Sequence, residues 1–156
     1  MKLDIGCGEV ARIKEGYIGI DAYVEDPNIK KANMDLLPYS DNSVQAIYSS
    51  HALEHMPKAR IVPTLKEWYR VLMPHGLLEL FVPDLEWCIK NWLKYRTNDW
   101  HMDTIFGKQE HAGEYHKTGF TKGLLTQYAI EAGFSVLEVK TINSHNQDTL
   151  ALRAIK

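Results

Sequence analysis

A short segment of the chain has the residue types and the spacing of a metal site. Residues 51–55 read His-Ala-Leu-Glu-His, which is an H-x-x-E-H pattern. On an α-helix this spacing places two imidazoles on one face with a carboxylate beside them, as in one class of zinc peptidases. The pattern therefore raises the question of whether a helix forms at these residues.

The neighbouring residues disfavour such a helix. Residues 44–50 (VQAIYSS) are predicted to form a strand that runs up to His51. Pro57 restricts the preceding residue to extended backbone, so at most one short helical turn fits between the strand and the proline. A zinc peptidase also needs a firm helix and a third ligand from elsewhere. We therefore expect no metal site, and we interpret His55 as a solvated or hydrogen-bonded residue after the strand.

A glycine-rich turn, Gly6-Cys7-Gly8, follows the first predicted strand at residues 2–5. Together with Ala11 it fits the G-x-G-x-x-A pattern of dinucleotide-binding proteins. That pattern needs a helix after the glycines, because the helix N-terminus holds the pyrophosphate. Only residues 12–16 separate Ala11 from the second strand, which is about one turn. The expected acid also comes early, at Asp21.

Three aspartates accompany the predicted strands and favour a ligand without phosphate. Asp4 precedes the glycine turn, Asp21 lies at the end of the second strand (residues 17–22), and Asp35 follows the third (residues 29–34). A carboxylate can accept hydrogen bonds from both hydroxyls of a ribose or from the amino group of an adenine. Glycines allow the backbone to approach a ligand closely. S-adenosylmethionine offers a ribose, an adenine, an amino acid end and a sulfonium cation, so it fits these residues better than a dinucleotide.

The order of the predicted elements indicates one α/β domain over residues 1–156. Strands alternate with helices or loops, which is typical of a mostly parallel, doubly wound, Rossmann-like sheet. The connection between the last two strands is too short for a crossover helix, so these strands are expected to be antiparallel if they pair. Strands are predicted at residues 2–5, 17–22, 29–34, 44–50, 77–82, 134–142 and 148–155, and helices are predicted to begin near Pro63, Asp84 and Thr121.

Composition excludes several classes of protein. The net charge is -2 and no long basic run is present, which disfavours nucleic-acid binding. Neither a long apolar run nor a basic amphipathic helix is present, so no membrane association is expected. The two cysteines, Cys7 and Cys88, form no disulfide framework, which favours a reducing compartment. The sequence therefore predicts a cytoplasmic protein.

Five motifs in order carry a resemblance to a known family. They read LDIGCG, IGID, LPYSDNSVQ, LEH and EWYRVLMPHG, and they lie between Leu3 and Gly76, while the resemblance as a whole covers nearly the whole chain. In this respect the sequence resembles the class I S-adenosylmethionine-dependent methyltransferases. The resemblance implies a seven-stranded sheet with an antiparallel C-terminal strand, S-adenosylmethionine as cofactor, and in-line transfer of its methyl group to an acceptor.

The resemblance also implies roles for individual residues. By this resemblance, the methionine end of the cofactor is expected to bind at Asp4, Gly6, Cys7 and Gly8, the ribose at Asp21 and Ala22, and the adenine at Asp35 and Leu36, while the reacting methyl group is expected to lie near Ser49, Ser50 and His51.

The sequence departs from the family pattern at three places. Glu9 and His75 stand where glycines are common, and the first helix is short.

The polar segment of residues 98–119 is expected to be either an acceptor-binding lid or a mobile surface loop. His111 and His116 in this segment, together with His51, are the candidates for a general base if the acceptor keeps its proton. The resemblance of this segment to relatives suggests a small-molecule or sugar-related acceptor. The alternative function is that of a non-catalytic binding module or a partner-dependent subunit. The sequence does not decide whether the chain forms a homo-oligomer.

Overall fold

The computed structural model describes residues 1–96, 99–110, 113–144 and 146–156. Short 3₁₀ turns lie at Val10–Arg12 and at Leu53–His55, and the latter is called the 53–55 turn below. The strands are β1 (Lys2–Ile5), β2 (Ile18–Asp21), β3 (Ile29–Lys31), β4 (Val44–Ser50), β5 (Leu72–Pro83), β6 (Ser135–Ser144) and β7 (Gln147–Ile155), and the helices are α1 (Lys58–Val71), α2 (Leu85–Lys94), α3 (Asp99–Phe106) and α4 (Lys122–Glu131).

The strands form one seven-stranded sheet in the order β3-β2-β1-β4-β5-β7-β6. The pairs from β3 to β5 are parallel, whereas β7 lies between β5 and β6 and is antiparallel to both. The predicted Rossmann-like α/β fold with an antiparallel C-terminal strand is therefore confirmed. The strand order reverses at β1 and β4, which places the ligand-binding edge of such a sheet beyond the carboxyl ends of these two strands.

Two helix starts were predicted correctly from their capping residues. Asp84 caps α2, where its carboxylate accepts a hydrogen bond from the backbone N–H of Glu86. Thr121 caps α4, where its hydroxyl accepts from the backbone N–H of Leu124. In both cases a side-chain oxygen satisfies one of the unpaired N–H groups of the first turn.

The predicted start of α1 at Pro63 was wrong. The helix begins at Lys58, directly after Pro57, and Pro63 lies inside it. The buried face of the helix, which includes Ile61, Leu65 and Trp68, accounts for the extension. Its burial against the sheet outweighs the hydrogen bond that an internal proline removes.

Strand β5 begins at Leu72, earlier than the predicted residue 77. The helix α1 therefore passes into the strand without a loop. His75 in this strand has a φ of 63°, a left-handed conformation that glycine adopts most easily. This conformation suits the glycine that the family resemblance implies at this position.

The expectation of a segment without secondary structure at residues 98–119 was wrong in part, because α3 forms at its start. The helix packs on α2 through aromatic rings. The ring centroids of Trp87 and Trp100 lie 6.0 Å apart, and Tyr95 stacks on His101 at 5.3 Å. A local sequence pattern cannot predict such contacts between helices. The predicted residue His111 lies outside the described residues.

The core lies on both faces of the central strands. Its largest members include Trp68, Phe120 and Leu3, each with 0% of its surface exposed. Within the described ranges, no helix is both long and apolar enough to cross a membrane.

Candidate active site

The glycine turn after β1 is shaped by two different constraints. Gly6 has a φ of 72°, and a Cβ atom added to it would lie 2.3 Å from the Cβ of Ala52. Gly8 has a φ of 67°, but an added Cβ would meet no described atom within 4 Å. Gly6 therefore allows the turn to pack against the segment that follows β4. Gly8 leaves an open surface on which a ligand can approach the backbone.

Asp21 at the end of β2 holds the neighbouring backbone. Its Oδ2 accepts a hydrogen bond from the N–H of Gly8 at 3.0 Å, and its Oδ1 accepts from the N–H groups of Tyr23 at 2.8 Å and Val24 at 3.2 Å. A carboxylate has about four acceptor positions. The partly exposed Asp21 therefore keeps acceptor capacity for a hydroxyl of a ligand, and Ala22 beside it is also partly exposed.

Asp4 in β1 is buried, with 2% of its surface exposed. Its Oδ2 accepts a hydrogen bond from the backbone N–H of Lys14 at 2.7 Å, which fixes the end of the first loop. Burial raises the pKa of Asp4, and the hydrogen bond from Lys14 opposes that effect. The resemblance implies that this acid lies at the methionine end of the cofactor, and in the structure it is buried in β1, two residues before Gly6.

Cys7 is buried in the glycine turn. Burial, followed by the charges of Asp21 and Asp4, raises the pKa of its thiol to about 11. A Cβ atom on Gly19 of β2 would lie 2.9 Å from the Cys7 sulfur, so the side chain packs against β2. The thiol is therefore protonated at neutral pH and fills space in the turn.

The predicted adenine residues lie beyond β3. The Asp35 carboxylate forms an ion pair with the guanidinium of Arg60 in α1, and its side chain is 16% exposed. Leu36 is 72% exposed, which is unusual for a large apolar side chain. An exposed leucine next to a carboxylate offers an apolar contact and a polar contact to a planar base.

The end of β4 presents three predicted residues in different ways. Ser49 is fully buried, and its hydroxyl donates a hydrogen bond to the carbonyl of Ile5 at 2.8 Å. This hydroxyl is therefore used within the sheet. Ser50 is partly exposed. His51 has a φ of 52°, a strained conformation for a non-glycine residue, and such strain is concentrated at functional sites.

Glu54 in the 53–55 turn is the most unusual acid in the site. Its side chain is 2% exposed, and its Oε1 lies 3.5 Å from Nδ1 of His51. This distance is too long for a normal hydrogen bond. No residue within the described ranges provides a hydrogen bond to either carboxylate oxygen. Burial acts to raise the pKa of Glu54, but the contact with His51 and the charges of His55 and His116 outweigh it and lower the pKa.

Two histidines face this carboxylate. The rings of His55 and His116 contact each other edge to face with centroids 5.0 Å apart. Nδ1 of His55 lies 3.1 Å from the carbonyl oxygen of Tyr115. Burial lowers the pKa of His116, although the charge of Glu54 opposes the effect. The interpretation of His55 as a solvated or hydrogen-bonded residue agrees with its contact to Tyr115.

The polar segment that was predicted as a lid or loop is held on the 53–55 turn by hydrogen bonds near its end. The backbone N–H groups of Lys117 and Thr118 donate hydrogen bonds to the carbonyl of Glu54, at 2.8 and 3.1 Å. The Thr118 hydroxyl donates to the carbonyl of Met56 at 2.8 Å. These contacts bring His116 to the end of β4, close to His51. Two of the three predicted catalytic histidines therefore share one carboxylate.

Sequence reasoning did not assign a role to Glu54. The H-x-x-E-H spacing pointed to this residue, but spacing alone could not show that it is buried. Its burial depends on the docking of residues 115–118, which are distant in sequence.

The chain was compared with known families and proteins. The profile of the methyltransferase domain family matches residues 3–80, a range that contains the glycine turn, Asp21, Asp35 and the 53–55 turn. No protein of curated function matches the sequence.

Many solved structures have the same fold. A SAM-dependent methyltransferase from Methanosarcina mazei has a TM-score of 0.72 at 21% identity, covering 99% of this chain and 91% of that one. A chain from the complex between the Haloferax volcanii Trm112 methyltransferase activator and its candidate methyltransferase has a TM-score of 0.70 at 18% identity, covering 99% and 80%. The 1,6-didemethyltoxoflavin-N1-methyltransferase of Burkholderia thailandensis, with bound 1,6-didemethyltoxoflavin and S-adenosylhomocysteine, has a TM-score of 0.69 at 15% identity, covering 99% and 70%.

Proposed function

The chain belongs to the S-adenosylmethionine-dependent methyltransferases, and from this premise we propose that it methylates a small-molecule or sugar-related acceptor bound beside Glu54. The cofactor, S-adenosylmethionine, supplies a methyl group activated by the positive sulfur. The observation that carries the proposal is the cluster of the buried Glu54 and His55, directly after β4, with His116 from the segment after α3, next to the glycine turn.

The residues at the carboxyl edge of the sheet fit the cofactor. Asp21 keeps acceptor capacity for a ribose hydroxyl, and Gly8 leaves the backbone of the turn open. Asp35 and the exposed Leu36 supply the polar and apolar contacts for the adenine. Asp4 fixes the loop at the methionine end from below. We assign the cofactor contacts to these residues, with Cys7, Gly6 and Ala22 as parts of the supporting backbone.

The acceptor then lies on the other side of the methyl group, over Ser50 and His51. Methyl transfer by in-line displacement needs the nucleophile, the methyl carbon and the sulfur in a line. The contribution of the protein is alignment and exclusion of water, which can supply several kcal/mol. The segment of residues 113–119 is anchored on the 53–55 turn, so it is placed to cover the acceptor.

The proposed acceptor class is tested by following the formation of S-adenosylhomocysteine with a panel of acceptors. The panel contains monosaccharides, nucleosides, phenols, a protein and an RNA, together with a blank without acceptor. We expect a sugar or a small hydroxylated molecule to increase the rate over the blank. An increase with a protein or an RNA acceptor alone would overturn the proposed acceptor class.

The acceptor side is tested separately by substitution. His116→Ala should reduce turnover and leave the affinity for S-adenosylhomocysteine unchanged, because His116 lies on the acceptor side. His75→Asn is the matched control, since His75 is exposed on β5 and asparagine tolerates its left-handed backbone. Equal losses of turnover and of cofactor affinity in His116→Ala would assign the residue a structural role instead.

A second candidate function is that of a subunit that needs a partner for activity. The Haloferax volcanii neighbour, which was solved with a methyltransferase activator, supports this alternative. In that case the isolated chain would bind S-adenosylhomocysteine but would not turn over with any acceptor. Size-exclusion chromatography with light scattering would show whether the partner is a second copy of the chain.

We also propose a cytoplasmic location. The cysteines Cys7 and Cys88 are both buried and free, which suits a reducing compartment.

A further inference from the structure

We propose that Glu54, His55 and His116 form a binding site for a divalent transition-metal ion on the acceptor side of the methyl group. Each of these residues offers one ligand atom, and the three atoms lie within 4.8 Å of one another. The ion-binding site is argued from the side chains alone, whereas its role in catalysis rests on the proposed methyl transfer.

The first argument is the state of Glu54. The side chain is buried and lacks a hydrogen bond of normal geometry to either oxygen among the residues that the structure describes, and the contact with Nδ1 of His51 at 3.5 Å is too long to supply one. An ionised carboxylate removed from water is costly unless it is well paired, and buried charges are normally paired or bound to a metal. A cation between Glu54 and the two histidines would satisfy this carboxylate.

The second argument is the orientation of the histidine rings. Nδ1 of His55 lies 3.1 Å from the Tyr115 carbonyl. A carbonyl only accepts hydrogen bonds, so Nδ1 carries the hydrogen and Nε2 keeps a lone pair for a metal. The backbone of Thr104 acts to raise the pKa of His116, which is the effect of a carbonyl that accepts from the ring. Metal-binding histidines almost always donate their second N–H to a carbonyl, a carboxylate or water.

The third argument is the geometry of the cluster. In a tetrahedral zinc site the ligand atoms lie about 2.0–2.2 Å from the ion and about 3.4 Å from one another. In this structure the ligand atoms lie within 4.8 Å of one another, so ion binding requires side-chain rotations that bring them closer together. Glu54 is buried, whereas His55 and His116 are partly exposed, so an ion would face the solvent on one side.

The ligand set indicates the type of metal. Two imidazoles and one carboxylate suit zinc, iron, cobalt, nickel or manganese, whereas magnesium and calcium prefer oxygen ligands. Three protein ligands leave coordination positions for water or a substrate. The site also differs from that of a zinc peptidase. The ligands Glu54 and His55 lie in a 3₁₀ turn, and the third comes from the segment after α3.

The proposed role of the ion is to hold an oxygen of the acceptor. A metal-bound hydroxyl loses its proton more easily, and here that proton passes to solvent. The acceptor oxygen then forms a bond to the methyl carbon, and the electron pair of the carbon–sulfur bond returns to sulfur. This role narrows the proposed acceptor to a hydroxyl compound, such as a sugar with neighbouring hydroxyls that can bind the ion through two oxygens.

The site is tested with the full chain after treatment with a chelator and without a polyhistidine tag. Zinc binding is followed by calorimetry, and cobalt binding by its visible absorption. We expect one ion per chain, and a cobalt spectrum with the intensity of a site of low coordination number. Binding of less than one equivalent, or a spectrum equal to that of cobalt in water, would overturn the proposal.

Substitutions assign the ligands. Glu54→Gln and His116→Asn should each weaken zinc binding by tenfold or more, and the control His75→Asn should leave it unchanged. Thermal unfolding of the metal-free variants confirms that each is folded. Zinc affinity within twofold of the parent protein in both ligand variants would show that the ion binds elsewhere and would overturn the proposal.

Affinity for S-adenosylhomocysteine is measured in the presence of the chelator. Cofactor binding without zinc binding would reject the metal site and leave the proposed methyl transfer intact. Zinc binding by Glu54, His55 and His116 without cofactor binding would support the metal site and reject the proposed methyl transfer.

Discussion

At the scale of single residues, the positions proposed to bind the cofactor are set by backbone geometry as much as by side-chain chemistry. Asp21 is the clearest case, since one carboxylate holds three backbone N–H groups and still has room for a ligand. Gly6 and Gly8 both have positive φ angles, but only Gly6 is in contact with the segment after β4.

Replacement of Asp21 by alanine should weaken the binding of S-adenosylhomocysteine by about 1.5–3 kcal/mol, the scale of a hydrogen bond to a charged group. Calorimetry measures this change. Glu25→Ala is the control, because Glu25 is exposed and lies four residues further along the same loop. Asp21→Asn tests whether a change in the loop alone causes the loss of affinity, since the amide oxygen can still accept hydrogen bonds from Tyr23 and Val24 and hold the loop. Unchanged affinity in both Asp21 variants would show that the ribose lies elsewhere.

The two glycines should respond differently to alanine. Gly8→Ala should lower the free energy of unfolding by about 1–2 kcal/mol, the cost of a left-handed conformation. Gly6→Ala should cost roughly 1–3 kcal/mol more, because its Cβ would also overlap Ala52. Urea unfolding of both variants measures the difference. Equal losses would mean that the segment after β4 moves aside without cost.

At the scale of elements, Arg70 joins α1 to the loop between β3 and β4. Its guanidinium donates hydrogen bonds to the carbonyl of Tyr39 at 2.9 Å, to Asp41 at 2.6 Å and to Glu67 at 2.8 Å. Glu67 in turn accepts from the backbone N–H of Leu37 at 2.8 Å. This network positions the loop that carries Asp35 and Leu36, the predicted adenine residues.

Stability should depend on pH through this network. The hydrogen bond from Arg70 lowers the pKa of Glu67 below its ordinary value of 4.5. A lowered carboxyl pKa contributes stability above the pKa of the unfolded chain, and this contribution is lost as the pH falls through the lower folded value. Arg70→Met should therefore reduce the free energy of unfolding at pH 7 by about 1–2 kcal/mol, given that Arg70 is partly exposed.

The difference between the parent protein and Arg70→Met should become smaller below pH 4.5, where Glu67 is protonated in the unfolded chain. Urea unfolding at several pH values measures it. Lys90→Ala removes an exposed salt bridge with Glu86 and serves as the control, because it should change the free energy of unfolding little. A constant difference from pH 7 to pH 3 would mean that Arg70 stabilises the loop without the charge of Glu67.

At the scale of the whole molecule, the cofactor should stabilise the folded chain. At a hundredfold excess over its dissociation constant, S-adenosylhomocysteine should add about 2.7 kcal/mol. For a domain of this size the melting temperature should rise by roughly 5–10 °C. A thermal-shift measurement with S-adenosylmethionine, S-adenosylhomocysteine and NAD tests this, and NAD is expected to have no effect. A shift with NAD alone would favour the dinucleotide interpretation of the glycine turn.

The sequence by itself determined the architecture and the class of cofactor. Alternating apolar strands, capping residues such as Asp84 and Thr121, and the short last connection act locally, so they can be read along the chain. The glycine turn and the aspartates after the strands are local signals as well. For the same reason, the family could be identified from short motifs in order.

Only the tertiary structure decided which residues come together at the proposed acceptor side of the site. The burial of Glu54 and the position of His116 depend on residues 115–118 packing on the 53–55 turn, and α3 depends on aromatic contacts with α2. These contacts join residues far apart in sequence. The H-x-x-E-H pattern was visible from the start, but its chemistry depends on an environment that spacing cannot encode, because burial and proximity arise only when the chain has folded.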